Sequence, residues 1–164
     1  MNAILFAILA SLTSHITIAP PNEPGQRLVV SGRVLDSSGH GVAGVGIRAY
    51  HTDARGLYRA DDKMYSDSAP PRLQGFLRTA ADGSYVIETI RPAPYPNRSL
   101  PAHIHIELRP PGGGHEYAII YFADDALLTP TERAKNPRAV CMPTRTADRV
   151  LHCVRDFHLG KESE

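Results

Sequence analysis

An all-β sandwich is the fold this sequence predicts, and three observations carry the expectation. Short runs rich in Val, Ile and Tyr recur along the chain, several alternating apolar with polar residues as half-buried strands do. The 14 Pro and 13 Gly are spread between these runs, where they supply turns. About seven such strands follow one another at sandwich spacing. A length of 164 residues suits one domain with enough core to need neither disulfide nor metal for folding. The formal charge of +1, without any Lys/Arg block, argues against nucleic acid or an acidic membrane surface as the main partner.

In chain order, residues 1–25 read as an apolar N-terminal segment, 26–160 as the sandwich and 161–164 as a polar tail. The run AILFAILA at residues 3–10 is far too short to span a bilayer. It resembles the apolar part of an export signal, although no Lys or Arg precedes it. The readings are export, or an apolar arm packed on the domain or a partner subunit of a cytoplasmic protein. Residues 28–35 form the first strand, 36–41 a turn, and 45–51 a second strand expected to pair with the first as a hairpin. A Gly turn at 52–58 places Tyr58 just past a strand end, and residues 59–72 form a long polar loop of the kind that tends to be functional. Residues 75–80 and 84–90 flank Asp82-Gly83, a hairpin signal. A Pro-rich loop with Tyr95 and Arg98 runs into the strand at 103–108, and residues 116–122 form a strongly apolar strand. Thr129-Pro130 opens a single helical turn, and residues 148–159 supply the last strand. Cys141 and Cys153 form one bridge if the chain is exported and two buried thiols if it is cytosolic.

Chemistry concentrates at Pro101-Ala102-His103-Ile104-His105-Ile106-Glu107-Leu108. Strict alternation puts His103 and His105 on one face and Ile104, Ile106 and Leu108 on the other, so the strand offers a metal two imidazoles. Tyr58 and Tyr95 make a mixed nitrogen and oxygen set with them. Phenolate is a hard, anionic donor that favours a trivalent ion such as Fe(III). A two-His, one-carboxylate Fe(II) site using Glu107, a catalytic zinc and a cupin-like His-x-His site are the alternatives. Tyr50, Tyr85, Tyr117, Tyr121 and the remaining histidines read as packing, structural or surface residues.

Gly56-Leu57-Tyr58, Thr79 to Tyr85, Glu88 to Pro92, Pro94-Tyr95-Pro96 and Pro101 to His105 follow one another as in intradiol ring-cleavage dioxygenases, which this chain resembles from about Val29 to Phe122. The resemblance implies a prealbumin- or Ig-like β-sandwich with long active-site loops. It implies cleavage of a catechol between its hydroxyls by dioxygen to a muconate-type acid, with non-haem Fe(III) held by Tyr58, Tyr95, His103 and His105. Tyr95 would be the ligand that yields to substrate and takes a proton, and Arg98 the cation that stabilises developing charge. A homo-oligomer without a membrane span is expected. Two positions depart from the family pattern: Leu100 stands where an Arg is common and Ile119 where a Gln is common, which makes the pocket less polar. A competing reading comes from residues 30–45, which also suit transthyretin-like or carboxypeptidase-regulatory modules that bind or brace. A metal-binding relic of the dioxygenase is the other. The Tyr/His set separates the dioxygenase from such modules, since they have no need of it.

Overall fold

A computed structural model describes residues 13–59, 70–97 and 100–162 of the chain. The first half contributes strands β1 (His15–Thr17), β2 (Arg27–Leu35), β3 (Gly46–His51), β4 (Leu73–Arg78) and β5 (Ser84–Ile90). Strands β6 (His103–Arg109) and β7 (Glu116–Phe122) precede the short helix α1 (Pro130–Lys135) and a 3₁₀ turn at Pro137–Ala139. Strands β8 (Val140–Cys141), β9 (Thr144–Arg145), β10 (Leu151–Val154) and β11 (Phe157–His158) follow. One sheet has the order β1-β5-β2-β10-β9, with β11 also paired to β2; the other runs β4-β3-β6-β7-β8.

The two sheets form the sandwich that the composition implied. Leu28, Val30 and Val34 of β2 and Tyr85 and Ile87 of β5 are buried against Ile47, Leu77, Ile104, Ile106, Leu108 and Ile120 of the other sheet. Alternation along each strand decides which residues enter this core. Cys141 and Cys153 are joined as a disulfide, with 5.8 Å between their Cα atoms, and tie β8 of one sheet to β10 of the other. Thr129 caps α1 through a reciprocal capping box with Glu132, with Pro at the helix start, as the Thr-Pro signal implied.

Pairing differs from the local expectation in two places. Residues 28–35 and 45–51 do not form a hairpin: β2 pairs with β5, β10 and β11, whereas β3 pairs with β4 and β6. Asp36 closes its turn on itself by accepting the amides of Ser38 and His40 at 2.8 and 2.9 Å, and the chain then crosses between sheets. The Asp82-Gly83 turn likewise joins strands in different sheets. Thr79 redirects the chain there, accepting from the Val45 amide at 2.9 Å and donating to the Val42 carbonyl at 2.6 Å.

The chain ends are also more engaged than composition suggests. Strand β1 pairs in parallel with β5, and Ile18 and Ala19 enter the core. Glu162 lies against Arg155 at 2.5 Å in a buried pair. The apolar run at 3–10 lies outside the described residues.

Candidate metal centre

Strand β6 turns Ile104, Ile106 and Leu108 into the core and leaves His103, His105 and Glu107 on the opposite face. Tyr58 reaches that face from the loop after β3, and Tyr95 from the Pro-rich loop after β5. Those two loops are laced together. Thr52 donates its hydroxyl to the Ala93 carbonyl at 2.7 Å, and the Ala93 amide donates to the Asp53 carbonyl at 3.1 Å. The Asp53 carboxylate accepts the Arg55 and Leu57 amides at 2.8 and 3.1 Å, which shapes the turn. Burial raises the Asp53 pKa, but the Leu57 and Arg55 amides together with the Arg55 guanidinium outweigh it and hold the group below the usual range. Gly56 has φ of +85°, and a Cβ there would sit 2.1 Å from the Pro94 carbonyl oxygen. Only glycine permits that conformation and that approach, so the two tyrosine loops meet because residue 56 has no side chain.

The four predicted ligands converge. Tyr58 Oη lies 2.8 Å from Tyr95 Oη, Tyr95 Oη 3.2 Å from His103 Nε2, His103 Nε2 3.1 Å from His105 Nε2, and His105 Nε2 2.9 Å from Tyr58 Oη. These four atoms close a ring. A ring with such edges has a centre about 2 Å from each atom, the length of a first-row metal bond to nitrogen or oxygen. The Nδ1 of His103 is 2.7 Å from the Pro101 carbonyl. A carbonyl only accepts, so Nδ1 carries the proton and the Nε2 lone pair is left for the ring. Burial lowers the pKa of His103, and burial followed by the charges of His103 and His51 lowers that of His105 to about 4. Both imidazoles are therefore neutral near pH 7, as ligands must be.

Among the described residues, no three His, Cys, Asp or Glu side chains form a metal-binding group. A cation at this ring would meet two phenolic oxygens and two imidazole nitrogens, a donor set that fits Fe(III). Glu107 is not a fifth donor. Arg48 approaches its carboxylate at 2.7 Å, with Arg109 at 3.4 Å and His115 at 3.5 Å. Tyr121 packs edge-on to His103 with 6.0 Å between centroids, and burial raises its pKa. Arg98 lies outside the described residues.

Tyr50 is the packing residue the sequence suggests, but its partner is one of the donors, which strand-by-strand reading does not give. Its ring stacks on His105 at 4.7 Å and 13°, because β3 and β6 pair Tyr50 with His105. Arg48 lies over the same ring at 4.7 Å. No local signal reports that register, which only the β3–β6 pairing reveals. A cavity of about 350 Å³ meets the ring of donors at His105 and has Ile119 and Tyr121 in its wall.

A family model described as dioxygenase matches residues 9–158. The chain belongs to the intradiol ring-cleavage dioxygenase family. Within that family it is similar to chlorocatechol 1,2-dioxygenase of Rhodococcus opacus, with 32% identity over 65% of this chain and 48% of the relative. It is equally similar to the protocatechuate 3,4-dioxygenase beta chain of Burkholderia cepacia, with 32% identity over 77% of this chain and 55% of the relative. The chain thus spans about half the length of these relatives. Two solved intradiol-type structures share the fold. The dioxygenase domain of a carbohydrate-binding fusion from Streptomyces sp. SirexAA-E has a TM-score of 0.72 at 23% identity, covering 100% of this chain and 96% of its own. Catechol 1,2-dioxygenase of Acinetobacter radioresistens has a TM-score of 0.72 at 20% identity, covering 94% and 59%. Among the described residues of this intradiol-family chain, no helix is long and apolar enough to cross a membrane.

Proposed function

We propose that this chain is a non-haem Fe(III) dioxygenase that opens a catechol-type ring between its two hydroxyl-bearing carbons, both atoms of dioxygen entering a muconate-type diacid. The closed ring of Tyr58, Tyr95, His103 and His105 carries the reading, since it gathers two phenols and two neutral imidazoles around one point. Bound there, Fe(III) supplies Lewis acidity toward a vicinal diol.

The side chains divide the remaining work. His103 is fixed by its bond to the Pro101 carbonyl and His105 by its stack on Tyr50, so the two imidazoles are the rigid donors. Tyr58 is buried beside Tyr50. Tyr95 stands on a Pro-bracketed loop and is only half-buried, which makes it the donor suited to yield to substrate and hold a proton at its Oη. Ile119 and Tyr121 line the cavity beside His105, where a bound ring would pack. The role of Arg98 in stabilising developing charge belongs to the same proposal. So does assembly into a homo-oligomer; relatives named as alpha and beta chains support association of subunits, without giving their identity.

Iron loading tests the reading. Fe(III)-loaded protein is expected to show a red-purple tyrosinate charge-transfer band that shifts when a catechol is added without oxygen. Oxygen uptake with formation of a ring-opened diacid should follow on exposure to air. Colourless protein after iron loading, or purified protein that holds zinc, would overturn the dioxygenase reading. Coloured protein that consumes no oxygen with any catechol would reduce the chain to a metal-binding relic.

A further inference from the structure

We propose that the cavity at His105 selects catechols bearing an acidic substituent, through Lys135, Arg138 and Lys161; the proposal rests on the dioxygenase reading above. The cavity holds about 350 Å³, within the size range of small-ligand sites. One side carries His105, Ile119 and Tyr121, so an aromatic ring delivered to the donor atoms has one aliphatic side chain and two ring faces beside it. The other side is built from the end of α1, the 3₁₀ turn after it and the C-terminal segment, which bring Lys135, Arg138 and Lys161 to the same space.

Charge balance is the deciding observation. Arg155 and Glu162 also line the cavity, but they neutralise each other at 2.5 Å, with side chains 5% and 4% exposed. Among the described residues, Lys135, Arg138 and Lys161 have neither an ion-pair partner nor a side-chain hydrogen bond. Three uncompensated cations therefore face one cavity in a chain whose net charge is only +1. A cleft lined by one sign of charge focuses its field on a bound ligand. An unsubstituted or alkyl-bearing catechol has no group for these side chains, whereas a carboxylate or sulfonate on the ring or a short side chain does. Tyr117, Tyr121 and Asn136 add neutral polar groups to the wall, so it is Lys135, Arg138 and Lys161 that distinguish an acidic substituent from a neutral polar one.

Anaerobic titration of the charge-transfer band of iron-loaded protein tests this without relying on turnover. The probes are 3,4-dihydroxybenzoate, 3,4-dihydroxyphenylpropionate, a catechol sulfonate, neutral 4-methylcatechol and cationic dopamine. Acidic probes are expected to bind about tenfold more tightly than 4-methylcatechol at low ionic strength, with dopamine weakest. The difference should shrink in about 0.5 M salt, where screening is within a few ångströms. Comparing carboxylate with sulfonate, and the short with the longer side chain, identifies which acid is held best. The double charge reversal Lys135→Glu/Arg138→Glu should invert the order, with dopamine gaining and the acids losing affinity. Equal affinities for acidic and neutral probes, or an order unmoved by the charge reversal, would overturn the proposal while leaving the dioxygenase reading in place. If no catechol moves the band, the dioxygenase reading fails and this one fails with it.

Discussion

Mild acid is expected to weaken this fold through His51, a buried histidine that is not one of the four donors. His51 is fully buried on β3, with Nδ1 2.7 Å from the Thr52 carbonyl and Nε2 2.7 Å from the Thr89 hydroxyl. The carbonyl must accept, so Nδ1 is protonated and Nε2 accepts from Thr89; the neutral ring is satisfied on both sides. Burial lowers its pKa from 6.5 to about 4, against smaller opposing effects from Thr52 and Glu23. Above pH 6.5 folded and unfolded chains both hold it neutral, and stability does not depend on it. Between pH 6.5 and about 4 the unfolded chain takes up a proton that the folded one refuses, so stability is lost as pH falls. The loss amounts to about 1.4 kcal/mol per pH unit and about 3 kcal/mol in all. His51→Gln keeps a donor and an acceptor but cannot titrate. Urea unfolding at several pH values from 7.5 to 4.5, in wild type and variant, measures the effect. The difference between the two curves cancels the same-signed contributions of His103 and His105. A wild type that loses about 3 kcal/mol more than the variant on acidification supports the argument. Parallel curves would refute it, as would a His51 ring that titrates near 6.5 by NMR.

Three further outcomes are expected. Cys141→Ser/Cys153→Ser removes a bridge with a sequence separation of 12, and the loop-closure relation puts the loss at about 3 kcal/mol, read as a lower urea midpoint. An unchanged midpoint would mean that the two sheets hold together without the staple. Gly56→Ala forces a left-handed residue against the Pro94 carbonyl and should part the Tyr58 and Tyr95 loops, costing at least about 1 kcal/mol and reducing bound iron and the charge-transfer band. Full iron content and colour in that variant would show that the loops meet for another reason. Tyr50→Leu removes the stacking partner of His105 and should lower iron affinity by about 10- to 100-fold, measured by competition with a chelator, while Tyr117→Leu at an exposed ring should not.

The part of the site that lies in one stretch of chain was legible in the sequence. Period-two alternation in residues 103–108 separates two imidazoles from three core residues, and the strand in the structure keeps that division. The Pro-rich loop with Tyr95 and the Gly turn before Tyr58 were legible for the same reason, since Pro and Gly act on the backbone beside them. Strand partners were not legible. The hairpins expected from residues 28–51 and 75–90 are crossovers between sheets, and short-range turn chemistry cannot tell a strand which sheet it will join. The pairing of Tyr50 with His105 and of β1 with β5 depends on those long-range choices.

The sequence by itself determined the β-sandwich class and the two faces of β6, because side-chain alternation and backbone restriction are local properties of the chain. It also determined the types of donor atom available, two phenols and two imidazoles, which are a matter of composition and order. Tertiary structure alone decided that the four atoms meet, since Tyr58 and Tyr95 reach β6 from two separate loops that hydrogen bonds join and that pack closely where Gly56 passes the Pro94 carbonyl. It alone decided, too, that Lys135, Arg138 and Lys161 face one cavity with His105. Residues 30 to 56 positions from His105 along the chain become its neighbours only when the sheets close, and the energy of that closure lies in contacts that no short segment contains.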